Sequence, residues 1–64
     1  MKDYIVTFRN KKTGAIINEV VVEYNQDVVL NKPAVLCLAA LNKLKNNGGD
    51  IPKKRQSTWS WREF

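Results

Sequence analysis

The chain has no histidine, which removes the commonest general base and metal ligand among the side chains. It has a single cysteine, Cys37, so no internal disulfide can staple it and no Cys/His cluster can hold zinc. That usage fits a reducing cytosol and excludes a disulfide-stapled secreted scaffold. Long apolar runs are also missing: none approaches the ~18 residues that cross a bilayer. Lys2 and Asp3 open an alternating segment rather than the apolar core of a signal peptide. The expected location is therefore the cytoplasm. Acidic residues are scarce in the second half. Residues 1–31 carry four cations against four carboxylates, whereas residues 32–64 carry seven against two, so the whole net charge of +5 lies there. Such asymmetry suggests an anionic partner, although solubility charge on a small domain looks the same.

What is present is 44% apolar, too much for intrinsic disorder, in 64 residues, one domain near the lower limit for a self-sufficient core. The chain has no repeats or low-complexity tracts. Its organising stretch is residues 33–45. Asn31 suits an N-cap and Pro33 the first turn of a helix. Ala34 to Leu41 runs without a polar residue, and positions 37, 40, 41 and 44 have the spacing of a buried stripe flanked by Leu36 and Leu38. Val35 and Ala39 fall nearer the polar side. Asn47–Gly48–Gly49 stops the helix, because glycine reaches the left-handed position without a Cβ clash.

Residues 3–9 alternate, with Tyr4, Val6 and Phe8 on one face and Ile5, Thr7 and Arg9 on the other, which predicts a strand. The polar turn Asn10 to Gly14 leads into a second strand, Ala15 to Tyr24, with Ile16, Val20, Val22 and Tyr24 expected on the core face. Asn25–Gln26–Asp27 breaks the pattern, and Val28–Val29–Leu30 reads as a short apolar link. A loop from Asn46 to Pro52 precedes a third alternating strand over residues 57–64. The expected fold class is α+β: a ββαβ chain forming a three-stranded, mainly antiparallel sheet with one helix on one face. The other face stays open, with Ile5, Thr7, Arg9, Ile17 and Val21 on it.

Catalytic patterns are sparse. Cys37 sits inside the apolar helix, where it reads as a small buried hydrophobe. Glu19 and Glu23 share a strand face but read as solvated charges. Gly48–Gly49 lacks the surroundings of a phosphate loop. The expectation is a protein that is not an enzyme, with no catalytic, metal or cofactor residues. The segment with the most binding character is Lys53 to Arg62, where Lys53, Lys54 and Arg55 precede Trp59, Trp61 and Arg62. Cations supply phosphate contacts and aromatic faces stack bases. The competing reading puts both tryptophans in the core. With Arg9, Lys11 and Lys12 from the first half, these residues form the candidate partner-binding set.

The opening Tyr4–Ile5–Val6–Thr7–Phe8, the Asn10 to Gly14 turn, Val20–Val21–Val22 and the alanines of the helix, Ala34, Ala39 and Ala40, give a layout that resembles small early proteins of bacteriophages. The resemblance covers most of the chain as a pattern, without a diagnostic motif. It implies binding and inhibition of a host protein, in the cytoplasm of the host cell. An inhibitor of host RNA polymerase in that group relies on acidic character, whereas this chain is basic, so no functional residue carries over. The leading reading is a small interaction protein that binds an acidic host-protein surface through the open sheet face, the exposed edge strand and the basic tail. Beside it stand a nucleic-acid-binding module and a self-associating subunit such as a homodimer. No membrane partner is expected.

Overall fold

A computed structural model describes residues 1–64. In chain order the elements are β1 (Lys2–Asn10), β2 (Ile16–Tyr24), α1 (Gln26–Asn31), α2 (Ala34–Asn46) and β3 (Ser57–Glu63). The three strands form one sheet in the order β2-β1-β3, and both pairings are antiparallel. This is the expected α+β arrangement, with a second, shorter helix.

The hairpin forms because its turn satisfies itself. The Asn10 side chain accepts from the amides of Lys12 and Thr13 at 2.8 and 3.1 Å, and Gly14, at φ +75°, closes the turn by donating to the Asn10 carbonyl. Register shifts between Phe8 and Arg9, so Arg9 faces Ile16 and Ile17 is the extra residue of a bulge. Ile16 therefore shares the open face with Arg9 and is 50% exposed, not on the core face that alternation suggested.

The core is Tyr4, Val6 and Phe8 of β1, Val20 and Val22 of β2, Val29 of α1, and Leu36 and Ala40 of α2. The strand residues come to one face because side chains alternate. The segment expected to be a loose link is α1. Asn25 caps it by accepting from the Asp27 amide at 2.9 Å, and Val29 is fully buried. Asn31 consequently ends α1 instead of capping α2, and Pro33 takes the capping position of α2 without a side-chain bond. The buried stripe of α2 is also rotated from the expected one. Leu36 and Ala40 form its centre, while Cys37, Leu41 and Leu44 are only half-buried and Leu38 is 63% exposed. With eight apolar residues in succession, the sequence does not set the rotation of the helix; the position of the sheet does. The helix stops where expected, with Gly48 at φ +71°.

α2 lies mainly over β2, then β1, and leaves β3 largely uncovered. No helix is long and apolar enough to cross a membrane.

Candidate binding surface

The nine candidate residues are distributed over three surfaces. At one end of the sheet, the β1–β2 turn meets the turn that leads into β3. Gln56 donates from its amide to the Lys53 carbonyl at 2.9 Å, and the Ser57 hydroxyl reaches the same oxygen at 2.8 Å. The Gln56 carbonyl in turn accepts from the Lys11 amide at 2.9 Å. That bond extends the β1–β3 ladder past the strand ends and sets Arg55 against Lys11 and Lys12. Together with Asn10 and Gln56 they line a polar recess of about 300 Å³ that contains no carboxylate. None of its cations takes part in an ion pair; the molecule's one salt bridge joins Lys2 to Glu63, at the opposite end of the strands.

The second surface is the apolar groove left between α2 and β3. Phe8 forms its floor, with Ala34, Cys37, Leu38 and Leu41 on one wall and Trp59 on the other, around a volume of about 380 Å³. Lys54 stands among its lining residues. Trp59 and Trp61 lie opposite Phe8 and Val6, on the helix-bearing face. Trp61 is half-buried and meets Tyr4 edge-to-face, with centroids 5.7 Å apart and planes at 74°. Trp59 is 37% exposed. The tryptophans thus divide between the two sequence-based readings, with Trp61 packed against the core and Trp59 bordering the groove. Burial pushes the Cys37 thiol above its usual value, which disfavours the reactive thiolate.

The third surface is the open sheet face, where Arg9 and Arg62 sit. The Arg9 guanidinium donates to the Gly14 carbonyl at 3.0 Å, so it braces the turn. Arg62 lies opposite Ile5. At the centre of this face Thr7 is nearly buried and donates its hydroxyl to Glu19 at 3.2 Å. Glu19 is therefore a hydrogen-bond acceptor within the sheet. No three of the cysteine and carboxylate side chains cluster as a metal site requires.

Lys43, which the sequence places near the C-terminus of α2 where it favours the helix dipole, makes a specific contact as well. Its ammonium donates to the Val21 carbonyl at 2.6 Å, on the outer edge of β2. A lysine on a helix with its target carbonyl 22 positions away carries no sequence signal. The groove was equally hidden, because it depends on where α2 stops covering the sheet. No family model, curated protein or solved structure matches the chain.

Proposed function

We propose that the chain is a non-enzymatic binding protein whose basic end holds an acidic surface of another protein and so modulates or blocks it. In the phage reading that partner is a protein of the host cell, met in its cytoplasm. The carrying observation is the convergence of Lys11, Lys12 and Arg55 on one recess without a carboxylate, with Lys53 and Lys54 immediately before Arg55 in the chain. Three uncompensated cations at a hydrogen-bonded turn junction attract carboxylates and steer their approach. The recess has hydrogen-bonding side chains in Asn10 and Gln56 but no aromatic side chain. Base stacking, the other half of single-strand recognition, has no platform there. Trp61 is engaged with Tyr4, and Trp59 lines the groove on the helix-bearing face. That favours an acidic protein over a nucleic acid.

The test uses a labelled poly-glutamate peptide, a labelled single-stranded oligonucleotide and a labelled duplex, each titrated with the protein over a salt series and read by fluorescence anisotropy. The peptide is expected to bind, and replacing Lys11, Lys12 and Arg55 together by Ala should abolish that binding while the far-UV spectrum stays unchanged. Both nucleic acids are expected to bind weakly. Tighter binding of an oligonucleotide, with log K falling against log salt by about 0.7 per contact on single strands or about 0.9 on duplex and flattening in the triple mutant, would replace this reading with the nucleic-acid one.

A further inference from the structure

The free edge of β3 has a self-complementary hydrogen-bonding pattern. Asp3 and Lys11 of β1 bond towards β3, through Phe64 and Gln56, while Asn10 bonds the other way, to Ala15. In an antiparallel ladder bonding direction alternates along each strand. Residues 58, 60 and 62 therefore bond β1, and Ser57, Trp59, Trp61 and Glu63 present their N–H and C=O groups outward. These four positions are symmetric about Ser60. A two-fold axis through Ser60, normal to the sheet, pairs Trp59 of one copy with Trp61 of the other and Ser57 with Glu63.

We propose that two copies of this chain pair through β3 into a six-stranded antiparallel sheet, with Ser60 facing Ser60 at the axis. Three further features favour a second copy as the occupant. Only nine of the 64 residues are buried, a thin core in a size range where oligomerisation is one of the devices that add to a small core. The operation keeps both helix-bearing faces on the same side, so the two tryptophan pairs meet and the two grooves merge into one apolar cleft. Charges do not oppose it: Arg62 comes opposite Thr58, and Glu63, opposite Ser57, keeps Lys2 of its own copy as its ion-pair partner. No like charges face each other, which would oppose pairing. The sheet order becomes β2-β1-β3-β3-β1-β2, with Lys11 and Lys12 of each recess one strand away from the seam.

Sedimentation equilibrium of the whole chain over a wide concentration range tests this. The expected result is reversible association to twice the monomer mass. Ser60 is exposed on the open face, so Ser60→Lys should leave the monomer folded while setting two like charges across the axis, and the dimer should be lost. Ser60→Cys in a Cys37→Ala background should become a disulfide-linked dimer on mild oxidation, because directly opposed non-hydrogen-bonded pairs lie about 4.5 Å apart between Cα atoms. A monomer at every concentration overturns the proposal, as does a dimer that Ser60→Lys leaves intact. Protection of the β3 edge by poly-glutamate peptide in a persistent monomer would assign that edge to an acidic partner and overturn it as well. The peptide binding tested for the basic recess stands or falls separately, since that readout depends on Lys11, Lys12 and Arg55.

Discussion

The two edges of the sheet are built in opposite ways. At the β2 edge, Glu19, Val21 and Glu23 point their backbone groups outward, yet the strand carries a bulge and two carboxylates, and Lys43 reaches down from α2 to cap the Val21 carbonyl. Bulges, charges and lysines are the devices by which edge strands avoid pairing with another chain. At the β3 edge, Trp59 and Trp61 line the outward-facing positions and no side chain caps the backbone. The helix accentuates the difference by covering β2 and leaving a groove beside β3. One edge is closed and the other is available, and the placement of a single 13-residue helix accounts for much of that asymmetry.

Substitutions along α2 should reproduce the difference as stability. Leu36 is fully buried at the centre of the α2 stripe. Leu36→Ala should cost about 3–5 kcal/mol, from lost transfer energy and a residual cavity, enough to unfold much of a small domain. Leu38→Ala, on the groove wall, should stay within about 0.5 kcal/mol in the same urea melt. Equal losses would mean that α2 is seated over the middle of the sheet. Next in size is the tryptophan pair. Trp61→Ala removes the edge-to-face partner of Tyr4 and should cost about 2–3 kcal/mol. Trp59→Ala should cost about 1 kcal/mol, since much of that ring faces the groove and solvent. The reverse order would put Trp59 in the core, as one sequence-based reading expected.

Smaller still is Lys43→Met, which keeps the stem and removes the donor. It should cost under about 1 kcal/mol, but it uncaps the β2 edge. Species larger than a dimer should then appear in size-exclusion chromatography, and their absence would show that the lysine does not guard that edge. The smallest effect belongs to Lys2→Ala. The Lys2–Glu63 pair, 2.7 Å apart, raises the Lys2 pKa first through the Glu63 hydrogen bond and then through its charge, but both groups are well exposed. A raised lysine pKa contributes stability below its unfolded value that is lost as pH climbs through the folded one. Screening should leave this invisible, so Lys2→Ala should keep the urea midpoint of the parent at neutral pH, where the pair is fully charged; a clear fall there would show that the pair holds the strand ends together.

Much of the asymmetry was illegible in the sequence, for identifiable reasons. Strand alternation at Tyr4, Val6 and Phe8, and again at Trp59 and Trp61, revealed the three strands and their inner faces because period two has only two phases. The α2 run from Ala34 to Leu41 has no polar residue to set its phase, so spacing points to a stripe through Cys37, Ala40, Leu41 and Leu44, whereas the buried centre is Leu36 and Ala40. α1 is six residues long, too short for periodicity to show; the Asn25 cap was its only mark. Ile16 was misplaced because a bulge leaves the alternation intact locally while shifting the register. Of the binding set, the cations were visible as composition. Their grouping of Lys11 and Lys12 with Arg55, apart from Arg9 and Arg62, depends on the Lys11–Gln56 backbone bond between segments 45 positions apart.

Amide hydrogen exchange, followed residue by residue at low and high protein concentration, tests the difference between the edges most directly. Protection at the outward amides of Trp59 and Trp61 should rise with concentration, while that at Glu19, Val21 and Glu23 should not change. A rise along β2, or concentration-independent exchange on both edges, would contradict the assignment of β3 as the available edge.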